Sequence, residues 1–285
     1  MRFVSKPLLV LKRLEKGENM ISSNNIISIR GLDGNIIKME IYSSLPSVTD
    51  LTREYAKNGY PDRYAVFSER QYKSPLTGSK SSGREFEYGM FLSLILRPSF
   101  FPAQASLLGA LSATAMITAL EEHTTKNLGL GWVSDIYCEG EKCGSVAIEG
   151  KLDDYTAYEY LIVTFAIRLE NKNFPPRLTD IISEVFEKDN TSIPVIIAKN
   201  VINKFLGFYT NIKTSNAFMS IYKSRFALIG ASAKYEVGDK KRNCTIFSVE
   251  DDGSIKVDVS GTKITIRSPS QITMPKRYRV KPKAT

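Results

Sequence analysis

Between Leu128 and Glu149 the chain reads LGLGWVSDIYCEGEKCGSVAIE, its densest group of side chains able to do chemistry. Cys138 and Cys143 flank a short loop there and could hold a metal or offer a nucleophile. A protein zinc site uses closer spacing such as C-x-x-C together with further Cys or His ligands. This chain has three cysteines and one histidine, His123, so no tightly bound metal is expected. A nucleophilic thiol needs a base or cation that lowers its pKa, and no base stands out beside Cys143. What remains is Trp132 with Asp135, Lys142 and Glu149. Each has an ordinary structural use, as core packing for the indole and as loop or strand-end charges for the rest.

The elements that must position these groups can be read from the pattern. Ser47-Val48-Thr49-Asp50 has the S-x-x-D form of a capping box, and Leu51 and Tyr55 follow at helical spacing. A helix is predicted over 47–57, ended by Asn58-Gly59. Residues 63–69 and 90–96 read as buried strands on either side of a polar, Gly/Ser-rich loop over 71–87 carrying Gln71, Lys80 and Arg84. The Ala/Leu-rich run over 102–123 predicts a long buried helix, with His123 where the helix dipole favours a cation. Strands follow near 130–137, 144–149 and 159–169. Phe174-Pro175-Pro176 then leads to helices over 178–186 and 194–211. Short alternating strands at 226–235, 243–249, 254–259 and 263–267, with Asp252-Gly253 and Ser260-Gly261 as turns, predict a small β barrel after an α+β domain. No internal repeat and no run long enough to span a membrane occurs.

With 285 residues, 42% of them hydrophobic, the chain can bury a good-sized core and a small second domain. Of the net charge of +9, residues 1–19 carry +3 and the acid-free tail after Pro275 carries +5, leaving the body near neutral. A nucleic-acid face on the body is therefore not expected, and the tail reads as a solvated end. The cysteine count and the lack of a signal peptide point to reduced thiols in a cytoplasm. Lys16-Gly17-Glu18-Asn19 ahead of Met20 can be encoded with a purine-rich bacterial ribosome-binding site, so translation is expected to start at Met20.

The stretch from Leu128 to Glu149 resembles the core of the biotin protein ligases. In that family one strand ends in K-W-P-N-D-[IL]-[YL] and the next begins near K-x-x-G-[IVL]-L-x-E. Here the pieces read Gly131-Trp132-Val133-Ser134-Asp135-Ile136-Tyr137 and Lys142-Cys143-Gly144-Ser145-Val146-Ala147-Ile148-Glu149. Ser47-Val48-Thr49 stands where the family has S-T-N. Glu69 and Gln71 align with the start of its E-x-Q-x-x-G-R-G-R-x-G-R loop. Residues 159–171 resemble a strand ending G-I-G-I-N-x-N, with Arg168 at the asparagine. The end of the chain is similar to the family's SH3-like domain, which octanoyl transferases generally lack.

The resemblance, covering about Ile36 to Met274, implies an α+β fold. It has a mixed-sheet biotin/lipoate ligase-like domain with helices on one face, followed by a small SH3-like all-β barrel. The implied division is an N-terminal extension over 1–35, a ligase-like domain over 36–220, the SH3-like domain over 221–275 and a basic tail over 276–285. It also implies ATP-dependent transfer of biotin, through biotinyl-5′-AMP, to a lysine of a carboxylase carrier domain. Biotin and ATP with magnesium would be the substrates, and the biotin carboxyl carrier domain or carboxylase the partner. By this resemblance Ser47, Val48, Thr49 and Gln71 line the biotin site, and Trp132, Asp135 and Lys142 the adenylate pocket. Joining a carboxylate to a phosphate needs fixed positive charge. Yet the family's lysine position is Gly131, and Ser74 to Lys80 lacks its loop arginines. Lys80, Arg84 and Arg168 are the substitute cations for an active ligase. The alternative is a non-catalytic relative that binds biotin or a carrier domain as regulator or scaffold. A lipoyl or octanoyl transferase using Cys143 ranks third. No helix-turn-helix module fits before Ile36, so DNA binding is not expected. A homodimer is compatible with the family.

Overall fold

The run MFLSLIL is apolar at nearly every position, and a strand of that kind needs cover on both faces. The computed structural model supplies it. It describes residues 23–31, 34–71, 87–100, 102–169, 192–212, 217–237, 240–275 and 277–278. Lys80, Arg84, the helix expected over 178–186 and residues 1–22 lie outside the described residues.

The large sheet has eight strands: β1 (Ser23–Arg30), β2 (Ile36–Tyr42), β3 (Tyr64–Gln71), β4 (Glu87–Leu96), β5 (Leu128–Gly131), β6 (Asp135–Cys138), β7 (Glu141–Leu152) and β8 (Tyr158–Arg168). Their order is β1-β2-β3-β4-β8-β7-β6-β5. Every neighbouring pair is antiparallel except β2 and β3. A parallel pair needs a crossover, and helix α1 (Val48–Lys57) is that crossover. Because β2 and β3 run the same way, the chain enters α1 at the carboxyl end of both strands. Leu45, just ahead of α1, forms a parallel bridge with Gln71 at the end of β3.

Met90, Leu92 and Leu94 of β4 face one core, together with helices α2 (Leu108–Glu121) and α3 (Ile193–Tyr209). Phe91 and Ile95 face the other, with Val48, Leu51 and Tyr55 of α1. The expected helices on one face are thus α2, α3 and α4 (Ala217–Arg225), while α1 lies across the opposite face. Helix α2 is buried nearly all round because the sheet, α3 and α4 enclose it. Helix α4 is not evident from the sequence; it is nine residues long and anchors through Phe218, Met219 and Tyr222. Nor are β1 and β2, so the sheet begins inside the stretch read as an extension.

One expected strand near 130–137 is instead a hairpin. The chain turns at Trp132–Ser134, where the Trp132–Val133 peptide is cis, so that β5 and β6 pair with each other. Beyond α4 lie β9 (Ser232–Val237), β10 (Lys240–Val249), β11 (Ile255–Val259), β12 (Thr262–Ile266) and β13 (Ile272–Thr273). They form a small antiparallel sheet in the order β12-β11-β10-β9-β13. Its β11–β12 turn places Ser260 and Gly261 at φ 53 and 88, the doubly left-handed pattern that a tight hairpin requires. The tail is not wholly solvated: Arg277 pairs with Glu141, and Tyr278 donates its N–H to the Gly140 carbonyl at 3.0 Å.

Candidate functional site

The first turn of α1 is built by its cap. Ser47 Oγ accepts the Asp50 N–H at 3.1 Å, which satisfies one of the donors a helix start leaves unpaired. The Val48 N–H, another such donor, goes to Gln71 Oε1 at 2.9 Å. Gln71 is fully buried, so a side chain expected in an exposed loop instead joins the end of β3 to the start of α1. This contact points the amide oxygen at the helix start, whose dipole is positive. Val48 turns its side chain into the core under α1. Thr49 reaches the sheet, where its Oγ1 lies 3.0 Å from Thr164 Oγ1 on β8. Thr164 in turn lies 2.9 Å from Ser93 Oγ on β4.

On the same face, next to Ser93 and Thr164, a row of paired residues crosses the sheet through Ser68, Phe91, Ala166, Ser145, Asp135 and Gly131. The row connects the two halves of the expected site. From β8 to β6 is two strand spacings, about 10 Å. Arg168 lies on this face one pair further along, opposite Gly89.

At the far end of the row the space is filled. A Cβ at Gly131 would lie 2.6 Å from Tyr137 Cε2 and 3.2 Å from Asp135 Cβ. The Tyr137 ring is buried, its hydroxyl donates to the Pro275 carbonyl at 2.8 Å, and it packs edge-to-face with Tyr278. Position 131 therefore lacks the cation and also lacks the room for one. Lys142 is committed to Asp135 at 2.7 Å. Arg53, which the sequence reading passed over, grips Glu149 through two bonds of 2.6 and 2.7 Å and Asp50 at 2.7 Å. Those carboxylates, Glu149 foremost, hold the Arg53 pKa above its usual value. Among the described residues this end does not reproduce a phosphate-neutralising set. Among the described residues there is no group of three or more Cys, His, Asp or Glu that could hold a metal.

Trp132 was expected in the adenylate pocket. Its Nε1 donates to the Gly253 carbonyl at 2.7 Å, in the turn between β10 and β11, and so fastens the hairpin to the small sheet. Tyr222 of α4 supports the same turn by donating to the Val133 carbonyl at 2.8 Å. Cys143 is fully buried and donates its thiol to the Ile136 carbonyl. Burial pushes its pKa well up, which disfavours the thiolate. His123 accepts a different correction. Burial lowers its pKa, and its ring lies 2.8 Å from the Asn200 amide on α3, so it is held neutral and not as a dipole-stabilised cation.

Ser93, Thr164, Arg53 and Tyr137 were not singled out as site residues. The signal for the first two was present, since each is the one hydroxyl inside an otherwise apolar strand, MFLSLIL or LIVTFAI. Tyr137 carried no such signal, because it matches the resembled motif.

This is a mixed sheet covered by helices on both faces, an α+β domain with an appended small β sheet. No family model matches the sequence. It is 26% identical over 143 residues to the bifunctional ligase/repressor BirA of Bacillus subtilis (strain 168), covering 50% of this chain and 44% of that protein. The chain thus spans less than half the length of the curated relatives it matches. Its structure is similar to biotin protein ligase from Aquifex aeolicus, with a TM-score of 0.61 at 18% identity over 84% of this chain and 98% of that one. The same ligase in complex with biotin and ATP gives a TM-score of 0.58 at 20% identity, over 82% and 97% of the two chains. These likenesses establish the fold, which is similar to that of the biotin protein ligases. Among the described residues no helix is long and apolar enough to cross a membrane.

Proposed function

We propose that this chain binds biotin at the N-terminus of α1, with Ser47, Thr49 and Gln71 as contacts to the ureido ring. On this reading it acts as a non-catalytic partner of a carboxylase carrier domain. The observation that carries the proposal is the contrast between the two ends of one row. The ring end keeps a buried amide anchored to the helix start, while the cation position at 131 is filled by Tyr137. The biotin-bound state of the Aquifex aeolicus ligase, which has this fold, supports the choice of ligand.

A second reading, an active ligase using Lys80, Arg84 and Arg168 with ATP and magnesium, has one observation in its favour. Arg168 sits on the α1 face at the end of β8. One pair of measurements separates the two. Titration calorimetry with biotin is run on the parent and on Gln71→Glu, which keeps the acceptor for the Val48 N–H and replaces the amide donor. Binding that weakens roughly tenfold or more in the variant supports the site. Pyrophosphate release from biotin and ATP with magnesium then decides between partner and ligase. Turnover by the parent overturns the non-catalytic reading, and absence of biotin binding overturns both.

A further inference from the structure

A chain end that merely hangs in water makes no demand on the strands beside it, yet two glycines of β5 leave room for this one. A Cβ at Gly129 would lie 2.7 Å from the Tyr278 hydroxyl oxygen and 2.6 Å from Ala227 Cβ. Gly131, two residues on and so on the same face of the strand, meets Tyr137 in the same way. The two rings pack edge to face with centroids 5.4 Å apart. Gly129 and Gly131 therefore form a seat for a pair of aromatic rings, and the outer ring comes from the end of the chain.

The tail that brings it there leaves β13 on the small sheet and reaches the tip of the β6–β7 hairpin on the large one. The Pro275 carbonyl accepts the Tyr137 hydroxyl at 2.8 Å, and the Tyr278 N–H goes to Gly140, between β6 and β7, at 3.0 Å. Glu141 and Arg277 form an antiparallel bridge, and their side chains pair at 3.3 Å in water, where an ion pair contributes little. Tyr278 and the two hydrogen bonds are thus the fastening. Tyr137, the ring that fills position 131, is propped by Pro275 and Tyr278, both of which lie beyond β13.

We infer that the C-terminal end of this chain is an autoinhibitory strap, which closes the far end of the row through Ser145, Asp135 and Gly131 by holding Tyr137 in place. While Tyr278 is seated, the space at position 131 is shut; when the strap lifts, the Tyr137 ring is free to step aside and the space opens. The inference is independent of the biotin reading, since it concerns only what keeps this ring over Gly131.

The test is a double-variant cycle in urea unfolding of the full chain. Gly131→Ala lowers the midpoint in the parent, because its Cβ overlaps a ring that is held fast. In a Tyr278→Ala background the same substitution should lower it by roughly half as much or less, because the ring moves into the vacated seat. Tyr278→Phe keeps the outer ring and should leave the full Gly131→Ala shift. Tyr278→Leu carries the test if Tyr278→Ala does not fold. A Gly131→Ala shift that is the same in Tyr278→Ala as in the parent, or already relieved in Tyr278→Phe, overturns the inference. So does a parent that takes Gly131→Ala without loss. Biotin binding enters none of these measurements, so the strap and the biotin reading stand or fall separately.

Discussion

Gly131→Lys puts back, by residue type, the cation missing from the resembled motif, and the fold says that it fails. The new Cβ would sit 2.6 Å from Tyr137 Cε2, whereas carbons in contact prefer about 3.5–4.0 Å, so the ring must move by about 1 Å. It has little freedom to do so, being 1% exposed, bonded to the Pro275 carbonyl and packed on Tyr278. Overpacking of this kind costs about 1–3 kcal/mol. Breaking the Tyr137–Pro275 bond adds about 1 kcal/mol, and replacing a strand glycine returns up to about 1 kcal/mol. A net loss of about 1–3 kcal/mol remains. Gly131→Ala shares the overlap and should lose nearly as much, which separates the Cβ from the charge. Gly131→Lys/Tyr137→Ala frees the space but opens a cavity. Urea unfolding should show a lower midpoint at unchanged slope for both single variants. Pyrophosphate release from biotin and ATP should stay at the parent's level. Parent-like stability of both single variants would refute the steric argument. Turnover appearing in Gly131→Lys would show that a cation was all the site lacked.

Three further outcomes follow from the same contacts. His123 has its folded-state pKa lowered by burial, so its contribution to stability is full above the unfolded value of about 6.5 and is lost as pH falls toward the folded value; His123→Gln should flatten the urea midpoint between pH 7 and 5, and an unchanged profile would contradict a neutral buried imidazole. Burial pushes Cys138 up to about 11 and raises Cys143 and Cys244; Ellman's reagent should leave the native thiols essentially unreacted and titrate all three cysteines after denaturation, and a fast native thiol would revive the nucleophile reading. Trp132→Phe loses the bond to the Gly253 carbonyl and should cost about 1 kcal/mol; in the parent, the fluorescence of this single tryptophan should change in the same urea transition as far-ultraviolet dichroism, and an earlier change would mean that the small sheet detaches first.

Local chemistry settled a good deal in advance. The cap at Ser47, the apolar runs of β4 and β8, the enclosed helix α2 and the turns Asp252-Gly253 and Ser260-Gly261 all follow from residue type and spacing, because each is satisfied within a few neighbours or by burial alone. Three features were not legible that way. Trp132 and Asp135 look alike as members of one motif, but the hairpin at Trp132–Ser134 sends the indole to the small sheet and keeps the carboxylate on the α1 face. Gln71 reads as a loop residue until the parallel pairing of β2 and β3 brings it to the start of α1. Gly131 marks a missing lysine in the sequence, whereas only the packing of Tyr137 against Pro275 and Tyr278, far along the chain, shows that the space is closed. The sequence alone determined where the cap, the apolar strands β4 and β8 and the enclosed helix lie and that they must be buried, since those preferences are local. Which side chains share the face in front of α1, and whether a charge can fit there, was decided by contacts between residues more than a hundred positions apart, and these exist only once the sheet has closed.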